Sequence, residues 1–219
     1  MTQGIFGQLQ YDYKETYFLS GSYRRDASSC FAPGHRWGNF GSVGAAWQIT
    51  KMDFMKDIKW INFLKLKLSY GIQGNDNLNG YYRWADLYKA SYNEETSEYT
   101  LNMYQKGNEN LTWESSNSWN LGLDFALFNH HLNGSVEFYH RATSDMLYFR
   151  SLPLSSGVSA SGYYDNIGSM YNRGVEITLN ANIFRTRNFK WDLDLNLTHN
   201  ANKITDLGGE EVRGGYTIL

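Results

Sequence analysis

Apolar and polar residues alternate along eight segments of the chain. Every second residue is aliphatic, aromatic or glycine in the ranges 5–13, 17–23, 43–49, 64–72, 119–127, 132–140, 175–183 and 191–199. None of these positions holds Asp, Glu, Lys or Arg. Because successive side chains of a β-strand point to opposite faces, the pattern predicts eight strands with one apolar face each. Segments such as LKLKLSYGIQ and WDLDLNLTH leave little freedom in this register.

The interleaved polar positions distinguish a membrane barrel from a soluble sandwich. A sandwich exposes Lys, Glu and Thr and buries Val and Ile, whereas this polar face is rich in Asn, Ser, Gly and Gln. The apolar face carries Leu, with Tyr and Trp toward the segment ends, as the aromatic girdles of a lipid-facing band require. Residues 119–127 span roughly 20 Å of height when tilted, close to the ~25 Å apolar band of outer-membrane barrels.

Overall composition is compatible with this interpretation. Of the 219 residues, 42% are hydrophobic, 19% charged and 16% aromatic. The mean hydropathy is -0.54, a value typical of soluble proteins, but alternating faces cancel in any average. Apolar runs long enough for a membrane helix do not occur, so a spanning structure has to be β. The net charge of -2 gives no overall electrostatic signature for binding nucleic acid or anionic lipid, so we expect neither from charge alone.

Two further features concern export and redox chemistry. Cys30 is the one cysteine, which excludes an internal disulfide and a multi-cysteine metal site, so we expect an inert loop residue. The N-terminal MTQGIFGQLQYDYKE lacks the basic and then apolar pattern of a secretory signal. Since an outer-membrane protein has to be exported, we expect that Met1 is not the native start.

The connections between the eight segments alternate in length. Short ones lie at Lys14 and Glu15, at 129–131 and at 185–188, and a moderate one spans 51–62. Long ones cover the ranges 25–39, 74–112 and 142–168 and the tail after Asn200. Outer-membrane barrels keep short turns in the periplasm and long loops outside, so the pattern orients four hairpins.

Several long motifs resemble the barrel of the SusC/RagA family of TonB-dependent outer-membrane transporters. They are RWGNFGSVGAAWQIT followed by MKDIKWINFLKLKLSYGIQGN, then NENLTWESSNSWNLGLDFALFNHHLNGSVEFYHRATSDML, and then NIGSMYNRGVEITLNANIFRTRNFKWDLDLNLTHNANKITDLGG. The motifs occur in the family's order, and the similarity covers most of residues 1–208.

The resemblance implies a 22-strand barrel around an N-terminal plug, in the outer membrane of a Bacteroidetes-like Gram-negative bacterium. It implies TonB-energised import of oligosaccharides, peptides or other large nutrients beneath a SusD-like surface lipoprotein. Residues 1–219 contain no counterpart of the plug, of the segment that contacts TonB or of the closing aromatic strand. We therefore expect an all-β antiparallel segment of about eight strands from a larger barrel, which is not an enzyme, has no cofactor and does not transport alone.

Other chemistries compete for several side chains. Asp124, Glu137, Glu176, Asp192 and Asp194 resemble the paired carboxylates of glycosidases. We expect them instead to be solvated on the lumen wall or salt-bridged to partners such as Lys65 and Lys67. His130 and His131 lie in a tight turn without a third metal ligand. The glycines of GGEEVRGG lack the spacing that cradles phosphates.

One loop carries the candidate ligand site. Tyr81, Tyr82, Trp84 and Tyr88 fall in the extracellular connection 74–112, and aromatic faces flanked by polar groups suit stacking on sugar rings. The alternative is that they pack the loop onto its neighbours or onto the partner lipoprotein. For residues 146–164 we expect a second long loop that folds inward or meets the lid.

Two other architectures fit part of the pattern. One is a complete eight-strand outer-membrane barrel that serves as an adhesin, structural anchor or lipid-modifying enzyme; its narrow interior conflicts with the many small residues of the polar face. The other is a soluble carbohydrate-binding sandwich, which the charge-free, aromatic-ended apolar faces disfavour.

Overall fold

The computed structural model describes residues 1–78, 80–95, 97–153, 155 and 162–209. They form twelve strands and two short 3-10 helices, Ile49–Lys51 and Asp53–Met55. The strands are β1 (Thr2–Tyr13), β2 (Tyr17–Ser28), β3 (Trp37–Gln48), β4 (Ile61–Asn75), β5 (Leu87–Asn93), β6 (Glu98–Gln105), β7 (Glu114–Leu127), β8 (Leu132–Ser144), β9 (Leu147–Ser151), β10 (Gly162–Asn166), β11 (Ser169–Arg185) and β12 (Lys190–Asp206).

Eight strands form one antiparallel sheet in the order β1-β2-β3-β4-β7-β8-β11-β12. They are the eight strands that the alternation predicts, and each is joined to its sequence neighbour in that set without a crossover. Within the described residues β1 and β12 do not pair with each other, so the sheet is an open strip with two edges. This arrangement confirms an all-β antiparallel segment of a larger barrel and argues against a closed eight-strand barrel.

The register places the predicted apolar positions of all eight strands on one face. The row that contains Tyr17 runs through Trp47, Leu66, Leu123, Val136, Ile177 and Leu197 on the successive strands. A slip of one residue at any pairing would move a whole strand to the opposite face. The alternation therefore predicted the faces correctly, and we call this apolar surface the outward face.

The strands are inclined with respect to the band of aromatic residues. On β2 the band ends toward the short turn at Tyr17, whereas on β12, six strands away, it ends at Trp191. Leu197 is the residue of β12 in the same row as Tyr17. Trp191 lies six residues from Leu197 toward the short turn. The end of the aromatic band therefore shifts by one residue per strand, which is ~3.3 Å along the strand for ~4.8 Å across the sheet. This shift corresponds to a strand tilt of about 35°, within the range of outer-membrane barrels.

The short turns adopt backbone conformations that residues other than glycine rarely occupy. Lys14 and Glu15 have φ of 52° and 50°, and the amide of Thr16 donates to the carbonyl of Tyr13. Two consecutive left-handed residues define the mirror-image turn whose twist matches paired strands. The turn between β7 and β8 repeats this at Asn129 and His130, with φ of 54° and 63°.

A β-bulge changes one predicted position. Asn182 lies opposite Asp192 but Phe184 lies opposite Trp191, so Ile183 is an extra residue without a partner on β12. The ring of Phe184 stacks on Trp191 at 5.9 Å between centroids. The aromatic end of this hairpin therefore consists of Phe184 and Trp191, and Ile183 does not continue the alternation.

At the long-loop end the structure extends beyond the expected boundaries. β2 continues to Ser28, β8 to Ser144 and β12 to Asp206, all within the ranges assigned to loops. The connection 74–112 also contains the hairpin β5-β6, and 142–168 contains the hairpin β9-β10. Four short strands therefore join the eight, and in the second loop β9 pairs with β10 from Leu147 opposite Asn166 to Ser151 opposite Gly162.

Candidate functional site

The outward face exposes large hydrophobic side chains along its whole width. They include Leu9, Leu19, Val43, Leu68, Leu121, Phe138, Leu193, Leu195 and Leu197. Leu9 is 75% exposed and Leu197 is 51% exposed. A soluble protein rarely exposes an apolar surface of this extent, whereas a lipid-facing wall requires it.

The opposite face, which we call the polar face, carries a three-way ion pair. The ammonium of Lys67 on β4 lies 2.8 Å from a carboxylate oxygen of Asp124 on β7 and 2.8 Å from one of Glu137 on β8. Two of the carboxylates considered for catalysis therefore share the single positive charge of Lys67. This confirms that lumen-wall acids pair with Lys67, and the arrangement holds three neighbouring strands together.

The remaining predicted polar residues of this face have other partners. The ammonium of Lys65 lies 4.0 Å from the centre of the Phe18 ring. Asp194 accepts a hydrogen bond from the side-chain amide of Asn180. Glu176 lies directly opposite Glu137, and Asp192 lies opposite Asn182. The five acids are distributed over the four strands β7, β8, β11 and β12, and the two that come together, Asp124 and Glu137, do so as ion-pair partners of Lys67.

A shallow hollow of about 690 Å³ lies against the polar face between β1 and β8. Its lining combines small and charged residues. The small ones include Ser20, Gly44, Ala46, Ser69 and Gly122, and the charged ones are Asp12, Lys67 and Glu137. Bulky side chains in place of the small ones would fill the hollow, so the polar face leaves room for another part of the protein or for solute.

The long loops pack into a cap with its own hydrophobic cluster. Phe31 and Leu111 are fully buried and Leu78 is 6% exposed; Cys30, Trp113, Leu147 and Tyr164 pack around them. These residues come from all three long connections between the eight strands, so the cluster ties the loops together. We call this set of side chains the cap cluster.

Asn166 fastens two of these loops by its side-chain amide. Its nitrogen donates to the carbonyls of Thr112 and Asp145, each at 2.9 Å, and its oxygen accepts from the Thr112 amide at 2.8 Å. A single side chain therefore satisfies three backbone groups outside regular pairing. The cap has a defined geometry, which a binding surface made of loops requires.

The four predicted aromatic residues divide into two groups. Tyr82 and Trp84 contact each other, with ring centroids 6.4 Å apart, whereas Tyr81 is 68% exposed beside them. Gln105 holds this segment by donating to the carbonyls of Tyr82 and Ala85. Tyr88 lies farther along the chain, on the hairpin β5-β6.

Tyr88 belongs to a surface that the sequence interpretation missed. In the hairpin register, Tyr88, Ala90 and Tyr92 share a face with Met103, Leu101 and Tyr99. The rings of Tyr92 and Tyr99 lie 4.8 Å apart, and Leu101 is 71% exposed. Alternation in LYKASYN and EYTLNMYQ was the signal that would have revealed this strand pair.

The cysteine and the two histidines considered as reactive or metal-binding residues make contacts within the fold. Cys30 is half-buried against the cap cluster, and its backbone amide donates to the Ser28 hydroxyl. The carbonyl of His130 accepts from Asn133 and Asn182, and a ring nitrogen of His131 contacts the Asn182 carbonyl. Within the described ranges, no three His, Cys, Asp or Glu side chains are grouped as metal ligands. GGEEVRGG lies outside the described residues beyond Gly209.

Comparison of the sequence with known proteins identifies a family and related receptors. The sequence profile of the family described as "TonB dependent receptor-like, beta-barrel" matches residues 1–217. The chain belongs to this family. Among relatives of the TonB-dependent receptor β-barrel, the receptor SusC of Bacteroides thetaiotaomicron is 36% identical over 209 residues, which are 93% of this chain and 21% of SusC. The receptor P39 of Formosa agariphila is 37% identical over 218 residues, 98% of this chain and 20% of P39.

A solved structure extends the family relationship to three dimensions. The RagAB peptide transporter superposes with a TM-score of 0.85 at 32% identity, over 94% of this chain and 22% of the RagAB chain. The SusC/RagA resemblance of the motifs is therefore confirmed. The chain spans about a fifth of the length of the TonB-dependent receptors that it matches. No helix among the described residues is both long and apolar enough to cross a membrane.

Proposed function

We propose that this chain is a wall segment of an outer-membrane nutrient transporter of the SusC/RagA kind, whose outward face contacts lipid. The single observation that carries the proposal is the register, which collects charge-free positions of eight strands on one exposed face. The tilt of about 35° and a similarity of 0.85 in TM-score to RagAB support the same placement.

Spin labels on adjacent residues test the membrane placement. In the full-length protein that carries this chain, reconstituted in vesicles with Cys30→Ser, we compare Leu121→Cys with Asn120→Cys. The label at 121 is expected to collide with oxygen in the lipid and the label at 120 with a water-soluble nickel complex. Equal access of both labels to the nickel complex would contradict a lipid-facing wall.

We infer further that the full-length protein imports oligosaccharides or other large nutrients with TonB energy and a SusD-like lipoprotein. The relatives support this, because SusC and P39 are TonB-dependent receptors and RagAB is a peptide transporter. Uptake of labelled oligosaccharides and peptides into cells with and without TonB measures the activity. Uptake that is independent of TonB would exclude this mechanism.

The aromatic residues of the cap are the proposed ligand contacts. Tyr82 and Trp84 form a held pair of rings, and Tyr81 and Tyr88 are exposed nearby in the chain. Stacking of a ring on a ligand contributes about 0.5–1.5 kcal/mol beyond its area. A double variant Tyr82→Ala, Trp84→Ala should therefore weaken binding of the imported ligand by roughly ten- to a hundredfold. Phe54→Ala, a substitution of an exposed ring at the short-turn end, is the matched control.

A further inference from the structure

The outward face carries cations at its long-loop end and nowhere else in the eight described strands. By register Arg25, Arg173 and Lys203 share that face with the apolar band, and all three are exposed. The row that contains Tyr23 runs through Gly41, Ile72, Asn117, Ala142, Tyr171 and Lys203. On β2, Arg25 lies two residues from that row toward the long loops. On β11, Arg173 lies two residues from it toward the short turn, so the positions of Arg25 and Arg173 follow the inclination of the strands.

Aromatic rings accompany these cations. The guanidinium of Arg25 lies 4.9 Å from the centre of the Trp37 ring, and that of Arg173 lies 5.5 Å from the centre of the Tyr171 ring. The ring of His140 stacks between Trp119, at 6.0 Å, and Tyr171, at 5.7 Å. We call Arg25, Arg173 and Lys203 with these four rings the outer cationic row.

On the polar face, by contrast, two of the cations form ion pairs with carboxylates of the same chain. Arg24 forms an ion pair with Asp26, and Lys67 forms ion pairs with Asp124 and Glu137. For Arg25, Arg173 and Lys203 the described part of the chain supplies no carboxylate within ion-pair distance. The register places one acidic residue of the described strands on the outward face, Asp206 opposite Ser169 at the end of β12, and its carboxylate accepts a hydrogen bond from the Gly208 amide. Three cations that form no ion pair with the described residues, at the rim of an apolar surface, favour an external anion.

Lys203 and Arg173, on the paired strands β12 and β11, are close enough for both side chains to contact one phosphate. Lys203 lies opposite Tyr171, two residues from Ala201, the partner of Arg173. Diagonal neighbours of this kind are about 7–8 Å apart, within reach of two long side chains that converge on one anion. Near a membrane surface each Lys or Arg contributes about 1 kcal/mol of attraction to anionic lipid.

We propose that the outer cationic row binds the phosphate groups of a phosphorylated glycolipid in the outer leaflet. The row is continuous with the apolar band, so acyl chains would lie against the leucines while the headgroup phosphates meet the cations. This proposal rests on the proposed membrane wall. The short-turn end has aromatic residues such as Trp47 and Trp191 but no cation on its outward strand positions, so the two ends fit different leaflets.

Native mass spectrometry of the full-length protein that carries this chain tests the proposal. The probes are bisphosphorylated lipid A and the same lipid with its phosphates removed. We compare the variant Arg25→Gln, Arg173→Gln, Lys203→Gln with the variant Lys51→Gln, Lys56→Gln, Lys59→Gln, which removes the same charge at the short-turn end. The row variant should lose affinity for phosphorylated lipid A on the order of 100-fold, and the control should retain it.

Three outcomes overturn the inference. They are equal binding of phosphorylated and dephosphorylated lipid, equal loss in both variants, and loss of a co-purifying protein from the row variant with lipid binding intact. The spin-label comparison at residues 120 and 121 separates the two proposals. If label 121 is in lipid while the row variant binds normally, the membrane wall stands and the lipid site does not.

Discussion

The eight-stranded sheet and the cap formed by the long loops differ in how far their hydrophobic side chains are buried. The sheet is held by long registered pairings, yet hydrophobic side chains such as Leu9 and Leu121 are exposed on it. The cap has little regular pairing, but Phe31 and Leu111 are fully buried within it. The sheet therefore depends on what surrounds it, whereas the cap has a core of its own.

This difference assigns stability and function to different parts of the chain. Substitutions in the sheet should act through lipid on one face and through interior partners on the other. Substitutions in the cap should act through local packing and should be felt by the loops that carry the candidate ligand contacts. The following substitutions separate these effects.

The largest effect is expected from Phe31→Ala in the cap cluster. Removal of a fully buried phenylalanine costs about 3–5 kcal/mol, and the ring also contacts Trp113 at 5.4 Å between centroids. Hydrogen exchange of the full-length protein in vesicles should show faster exchange at Ser28 and Leu111, with the sheet amides unchanged. Tyr81→Ala, which removes an exposed ring, is the control. Unchanged exchange in the cap would show that the cluster does not order the loops.

Leu195→Arg tests the dependence of the sheet on lipid. Leu195 lies midway along the apolar stretch of β12, and an arginine at the middle of the bilayer costs about 2–4 kcal/mol. Urea titration of the full-length protein in vesicles should show this loss. Asn196→Arg places the same charge on the polar face and should cost much less. Equal losses for the two variants would mean that the two faces have the same environment.

The sequence predicted the sheet far better than the cap, and the reason is periodicity. Alternation in stretches such as VEITLNANI reports directly which side chains share a face, so register and faces followed. Phe31, Leu78 and Leu111 are separated by dozens of residues without a repeat, so their contact depends on how the strands arrange the loops. The choice of Asp124 and Glu137 as partners of Lys67 likewise required the knowledge that β4 pairs with β7 across the connection 76–113.

A bulge locally interrupts the pairing that the alternation predicts. Ile183 is exposed, but it has no partner on β12, because Asn182 lies opposite Asp192 and Phe184 opposite Trp191. The range that forms the hairpin β5-β6 was predicted to be part of an aromatic loop, although alternation within the hairpin separates Tyr92 and Tyr99 from the polar side chains. Of the candidate ligand site, the location in the long loops was predictable and the Tyr82–Trp84 contact was not.

Asn166→Ala should have an intermediate effect on the cap. The substitution removes two hydrogen bonds donated to carbonyls and one accepted from the Thr112 amide, at a cost of roughly 1–3 kcal/mol. Because Thr112 leads into β7, its amide exchange should accelerate while that of the cap cluster changes less. Asn110→Ala, at an exposed position nearby, controls for loss of an amide. Slow exchange at Thr112 in the Asn166 variant would show that packing alone fixes the loops.

The smallest effect concerns the short-turn end, where an exposed ion pair joins two connections. The ammonium of Lys51 lies 2.9 Å from a carboxylate oxygen of Glu15, and its hydrogen bond and charge lower the pKa of Glu15 from its usual 4.5. A lowered carboxyl pKa stabilises the folded state at pH values above 4.5, and this contribution is lost as the pH falls through the folded pKa. Because both side chains are largely in water, the effect on stability should be slight. Carboxyl ¹³C shifts of Glu15 should titrate below 4.5 in the native protein and return toward 4.5 in Lys51→Met. The same titration in both proteins would show that Lys51 does not interact with Glu15, and that this ion pair does not join the two connections.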